Sequence, residues 1–257
     1  MTARALVVTG AGSGIGQAAA CQAAADGWVV HALDTDHDAL EVTEHRIRAA
    51  AGICLPHPVD VTDDHAMSAV FAAVANRPEP VRGLVAAAAV DRGGLAHELD
   101  PQLWRSVIEV NVNGTFIAAR HALRAMMAGG GGSVVLCGSP AAEVGFADGG
   151  ATAYAASKGA VAAMTTSLAV DYAAHGIRVN AIVPGPTDTP LMWANVPPAM
   201  REQARSEVEA QVPLGRLASP DEIARTVLWL LSENSSYTTG SLIRCDGGVL
   251  AKASISL

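Results

Sequence analysis

Aromatic side chains are scarce in this 257-residue sequence: three Phe, three Tyr and four Trp amount to 4% of it. Its apolar half is mostly Ala and Val instead, small residues that let helices lie close on a sheet. Charge is sparse too, at 16%, the reverse of a disordered composition and enough to support a substantial core. Positive charge is the scarcer sign. Seventeen Lys and Arg against 25 Asp and Glu leave a net −8 with no basic cluster, which argues against a nucleic-acid or anionic-membrane partner. The four cysteines (Cys21, Cys54, Cys137 and Cys245) form no CxxC pair, and a chain of this size needs no disulfide staples. We read them as reduced, in a cytoplasmic protein. No apolar run approaches roughly 18 residues and no basic-then-hydrophobic leader opens the chain, so neither a span nor a signal is expected. The eight histidines make no HxH or HExxH pattern, so no metal site is expected.

What is present is a regular alternation. Short Val/Ile/Leu runs at 5–9, 28–34, 53–58, 83–88, 133–137, 178–183 and 241–245 read as strands. They lack polar alternation, as strands covered on both faces do, which implies a parallel sheet. Helical spacing fills 14–26, 36–50, 63–76, 101–128, 152–175 and 220–233, with start signals at Asp36, Asp63, Asp100 before Pro101, and Ser219 before Pro220. The pattern predicts one α/β domain over 1–257: a Rossmann-type, doubly wound parallel sheet of about seven strands with helices on both faces. The proline-rich stretch 184–217 reads as a lid, or as a surface connection that packs its apolar residues down.

Two places carry chemistry. Thr9-Gly10-Ala11-Gly12-Ser13-Gly14-Ile15-Gly16 joins the first strand to the first helix, where glycines allow a sharp turn and the helix N-terminus faces an anion. Asp34 ends the second strand, where a carboxylate accepts from ribose hydroxyls and repels a 2′-phosphate; it selects NAD over NADP unless it is a simple turn residue. Tyr154 and Lys158 stand four apart on a helix, on one face. A nearby Lys cation favours phenolate, so Tyr154 is expected to have a lowered pKa and to exchange a proton with an alcohol or ketone.

TGAGSGIG at 9–16, YAASK at 154–158 and Asn180-Ala-Ile-Val-Pro184-Gly185 together resemble the short-chain dehydrogenase/reductase family, nearly end to end to Cys245-Asp-Gly-Gly248. The resemblance implies an NAD(H)-dependent oxidoreductase acting on a secondary alcohol or ketone. Tyr154 would be acid/base, Lys158 its partner and a ribose ligand, Ser139 the residue that orients the reacting oxygen, and Asn111 the support of a water relay. Gly10, Ser13, Gly14, Ile15, Gly16, Asp34, Ala87, Pro184, Gly185, Thr187 and Thr189 would hold cofactor, with Asp60 and Val61 beside the adenine. It also implies a homotetramer packed through the helices at 101–128 and 152–175. Taken singly, Asn111 reads equally as a helix-break cap, Thr189 as a turn residue and Ser139 as a strand-end loop residue.

Two departures stand out. Ala86-Ala87-Ala88-Ala89 replaces the family's Asn-Asn-Ala-Gly, which leaves main-chain groups to make the contacts there. Ser139 precedes Tyr154 by two residues more than is usual in the family, an insertion we assign to 145–152. Val144, Phe146, Leu191, Met192 and Trp193 suggest an apolar substrate pocket of moderate size. A sugar or polyol dehydrogenase, a 3-oxoacyl thioester reductase and a non-catalytic cofactor-binding regulator remain alternatives.

Overall fold

The computed structural model describes residues 3–146 and 149–252. Seven strands, β1 (Arg4–Thr9), β2 (Trp28–Asp34), β3 (Ile53–Pro58), β4 (Val81–Ala86), β5 (Gly132–Cys137), β6 (Ile177–Pro184) and β7 (Leu242–Cys245), form one parallel sheet ordered β3-β2-β1-β4-β5-β6-β7. The expected fold is thus present, and the seven strands lie within two residues of their expected places.

Each face of the sheet has its own core. On one, α1 (Gly14–Ala25), α2 (His37–Ala49) and α8 (Pro220–Leu231) bury Ala19, Ala23, Leu40, Ile47, Val227 and Leu230 against Leu6, Val8 and Val30. On the other, α3 (Asp64–Ala75), α5 (Thr115–Gly129) and α6 (Thr152–Tyr172) bury Met67, Ala118, Ala122 and Val161 against Val7, Leu84 and Val134. Strand residues alternate between the two cores, so the sheet is apolar on both faces apart from a few buried polar residues such as His31, Ser133 and Asn180. The start signals act as caps: Asp36 accepts from Ala39 N–H at 3.0 Å, Asp63 from Ala66 N–H at 3.0 Å and Asp100 from Gln102 N–H at 2.8 Å. Ser219 and Glu222 close a reciprocal capping box on α8.

Three local differences have physical causes. The strand expected at 83–88 ends at Ala86, because its partner β1 ends at Thr9: the Ala87 N–H makes the last ladder bond to the Thr9 carbonyl (3.3 Å), and the Ala88 N–H goes to the Thr9 hydroxyl instead (3.3 Å). The helix expected over 101–128 is two helices, α4 (Pro101–Ile108) and α5, joined by a π-helical turn at Glu109–Gly114. That wider turn carries Asn111 inward, and Gly114 lets it sit against Val61, whose Cγ2 would lie 2.5 Å from any added Cβ. The segment 184–217 holds a helix of its own, α7 (Arg201–Gln211). No helix among the described residues is long and apolar enough to cross a membrane.

Candidate active site

In the order β3-β2-β1-β4-β5, the chain reverses direction between β1 and β4. Loops there splay apart and leave a crevice at the carboxyl ends of the strands. Gly10, Asp34, Ala87, Ser139 and Pro184 all stand at those ends, after or closing β1, β2, β4, β5 and β6.

The glycine turn is a tight cradle. Gly10 has φ +68° and lies so near the Ala87–Ala88 backbone that an added Cβ would be 2.7 Å from Ala88 N. A Cβ on Gly16 would be 2.1 Å from the Gly10 carbonyl oxygen. Gly14, at φ +53°, faces Thr189, which brings the start of the 184–217 segment onto the turn. Ser13 is the N-cap of α1, yet its side chain makes no capping bond and the first turn holds no acid. The first N–H groups of that helix therefore suit an external anion. Asp34 accepts from Gly12 N–H (2.9 Å) and from Asp36 N–H (3.1 Å), which fixes a carboxylate beside the turn. Ile15 packs into the adjoining core, and Ala87 is half-buried above it.

On α6, the Lys158 ammonium is buried; it donates to the Cys137 carbonyl at 2.8 Å and lies 5.3 Å from the Tyr154 ring centroid. Ser139, buried at the end of β5, caps a short turn (Pro140–Ala142) by accepting from Ala141 N–H at 3.2 Å and also interacts with the Tyr154 phenol. The expected lowering of the Tyr154 pKa needs correcting. Burial raises it above its ordinary value, the Lys158 cation and Ser139 hydroxyl pull it back, and the net direction is upward.

Asn111 is buried beneath this pair, with Oδ1 accepting from Val90 N–H (2.8 Å) and Nδ2 donating to the Val90 carbonyl (2.9 Å) and Ser157 Oγ (3.0 Å). Ser157 in turn donates to the Tyr154 carbonyl at 2.7 Å, so Asn111 braces the turn of α6 that carries Tyr154 and Lys158. Sequence reasoning missed Ser157; its one signal is a place three residues after Tyr154, where a hydroxyl reaches back along the helix. Asp91, beside Val90, was missed as well. Burial pushes its carboxyl above the ordinary value and the Lys158 cation draws it back, a relation created by the fold alone.

The remaining expected residues are distributed around this centre. Asp60 accepts from Thr62 N–H (2.9 Å) and Oγ1 (2.8 Å), and Val61 is buried against Gly114. Gly185 passes so close to Asp246 that an added Cβ would be 2.6 Å from its Cα. Thr187 is buried and bridges to Ala218; Thr189 Oγ1 accepts from Met192 N–H at 3.3 Å. Trp193 is buried, with its indole donating to Asp188 (2.8 Å), and anchors the 184–217 segment, whereas Leu191 and Met192 are half-buried. Val144 and Phe146 are exposed on the loop after Ser139; part of the assigned insertion, 147–148, lies outside the described residues. Ala89 meets no strain, since Ala51 is the one non-glycine with positive φ among the described residues. His37, Asp38 and Glu41 bring ligand atoms within 4.8 Å of one another, but all three are exposed at the start of α2, an ordinary surface grouping.

The family model described as "Enoyl-(Acyl carrier protein) reductase" matches residues 10–250. A cis-4-hydroxycyclohexanecarboxylate dehydrogenase of Sinomonas cyclohexanicum is 39% identical over 96% of this chain and 97% of its own. A galactitol 2-dehydrogenase (L-tagatose-forming) of Cereibacter sphaeroides is 38% identical over 94% of this chain and 92% of its own. Among solved structures, an actinorhodin polyketide ketoreductase variant with NADPH superposes with a TM-score of 0.90 at 31% identity, covering 96% of this chain and 97% of that one. With the sheet order, the glycine cradle and the Tyr154–Lys158 pair, these matches show that the chain belongs to the short-chain dehydrogenase/reductase family.

Proposed function

We propose that this protein interconverts a secondary alcohol and a ketone, with NAD(H) carrying the hydride. The observation that carries this reading is the convergence of Tyr154, Lys158 and Ser139 at the strand ends facing the glycine cradle. The cradle fits a dinucleotide: its glycines leave no room for side chains, and α1 offers uncapped N–H groups to a pyrophosphate. When bound, the nicotinamide supplies the hydride acceptor or donor. Lys158 Nζ has three donors, one of which goes to Cys137, so it can also hold a ribose hydroxyl. Ser139 orients the substrate oxygen. Tyr154 takes its proton during oxidation and returns it during reduction.

Asp34 supports NAD, because a carboxylate held beside the glycine turn would accept from ribose hydroxyls and repel a 2′-phosphate. NADP is the second reading, favoured by solved relatives described with NADPH and with NADP bound. Exposed Leu103, Trp104, Phe116, Met127 and Val170 on α4, α5 and α6 support association into a homotetramer. The test is a panel of secondary alcohols offered with NAD+ and with NADP+, followed by nicotinamide absorbance. We expect kcat/KM for NAD+ to exceed that for NADP+ by at least about tenfold, since like-charge contacts are costly. The reverse preference overturns the cofactor assignment. Tight NADH binding with no turnover across the panel favours a non-catalytic regulator.

A further inference from the structure

The 184–217 segment is tied down on both sides of β5, the strand after which Ser139 stands. It leaves β6 at Pro184 and brings Thr189 onto the turn after β1, where an added Cβ on Gly14 would lie 3.2 Å from Thr189 Cγ2. It then reaches the loop after β4, where Asn195 donates to the Asp91 carbonyl at 3.2 Å. Its helix α7 has no buried residue, so apolar packing does not hold it there. Charged and polar links do. The Asp188 carboxylate accepts from the Trp193 indole (2.8 Å) with one oxygen and from Arg205 Nη2 (2.6 Å) with the other. The Arg205 guanidinium lies 5.3 Å from the Trp193 ring centroid, which closes a triangle. One turn earlier on α7, Arg201 donates to the Val196 and Trp193 carbonyls at 3.3 and 3.5 Å. The base of the triangle is fixed, since the Asp188 N–H donates to the Ala218 carbonyl at 2.9 Å and Thr187 before it is buried. Yet the Asp188 and Arg205 side chains are 43% and 40% exposed, so water and salt reach the pair and it can part without unfolding the domain.

We propose that this triangle is the latch of the site: Arg205 is a positioning residue that, through Asp188, seats Thr189 on the glycine cradle and keeps α7 down while a dinucleotide is bound. Asp188 and Thr189 are adjacent, so the carboxylate that α7 holds also fixes the residue that meets the cradle. With the pair intact the segment retains the dinucleotide; with the pair parted, the stretch 189–195 lifts and the dinucleotide leaves. The inference rests on the dinucleotide-binding reading of the cradle.

Stopped-flow release of NADH or NADPH, whichever binds more tightly, tests it in Asp188→Asn, Arg205→Gln and the double variant. In Asp188→Asn the amide oxygen can still accept from Trp193, so the charge pair alone is lost. Each single substitution should speed release about 2- to 5-fold, the worth of a half-exposed ion pair. The double variant should release no faster than the quicker single one, because both remove the same link. The excess over the unsubstituted protein should vanish near about 1 M NaCl, where screening removes the pair. In the unliganded protein, amide hydrogen exchange across 201–211 should quicken in both single variants. Effects that multiply in the double variant, or release and exchange unaltered in both singles, would overturn the latch while leaving the dehydrogenase reading intact. No binding of either dinucleotide by the unsubstituted protein would overturn that reading and the inference with it.

Discussion

The Asn111 amide grips Val90 from both directions, accepting its N–H at 2.8 Å and donating to its carbonyl at 2.9 Å. The end of β4 and the loop after it carry Ala86–Ala89 in place of side-chain amides, so this two-way bond is what ties Val90 to the helices below. Replacing Asn111 with Ala strands two backbone groups in a buried setting and frees Ser157 from its brace. We expect Asn111→Ala to lose roughly 2–4 kcal/mol of stability in urea unfolding, with turnover falling as well. A full-stability variant would show that the clamp is dispensable.

Lys158 should govern the pH dependence of oxidation. Tyr154 must be phenolate to take the alcohol proton, so oxidation rises with pH through the Tyr154 pKa and reduction falls through it. Burial sets that pKa high and Lys158 draws it down. In Lys158→Met the alkaline rise of oxidation should move to higher pH, alongside weaker NADH binding. A rise that stays in place would remove Lys158 from the proton step.

Most of this architecture was legible in the sequence because each element is locally consistent. Apolar runs buried on two faces mark the strands, and Asp36, Asp63, Asp100 and Ser219 mark the helix starts that they cap. The π turn was not legible: helical spacing runs unbroken through 101–128, and the extra residue per turn is stabilised by tertiary bonds from Asn111. Helix α7 was hidden for the opposite reason. None of its residues is buried, so it shows no apolar stripe, and the flanking prolines dominate the reading. The site divides likewise. Gly10–Gly16, Tyr154 and Lys158 sit in contiguous motifs, whereas Ser157 gains meaning through contacts that only the fold supplies.

Buried His31 and half-buried His57 bring their ring nitrogens to 3.0 Å, with His31 Nε2 left without a partner. Burial first, then the neighbouring His57, lower the His31 pKa from 6.5 to about 4, and burial lowers that of His57. Folded values below the unfolded ones mean stability that is complete above about 6.5 and lost as pH falls toward about 4. His31 alone should account for about 3 kcal/mol of that loss, at about 1.4 kcal/mol per pKa unit. Urea unfolding across this range should show the slope, flattened in His31→Leu. An equal slope in the variant would assign acid sensitivity elsewhere.

Gly16→Ala should harm both the fold and the cradle. The new Cβ would sit 2.1 Å from the Gly10 carbonyl oxygen, a backbone atom that cannot swing aside. Forced separation of α1 from the turn should cost about 1–3 kcal/mol and weaken NADH binding in calorimetry. Unaltered NADH affinity would mean that the pyrophosphate lies elsewhere.

The most direct measurement is single-turnover oxidation of a substrate alcohol by Tyr154→Phe, with NADH affinity determined on the same sample. Removal of one hydroxyl should leave cofactor binding nearly intact while the chemical step slows about 10²- to 10⁴-fold, the range for a lost acid/base group. Hydride transfer at an undiminished rate in Tyr154→Phe would contradict the role of Tyr154 as the proton-transferring residue.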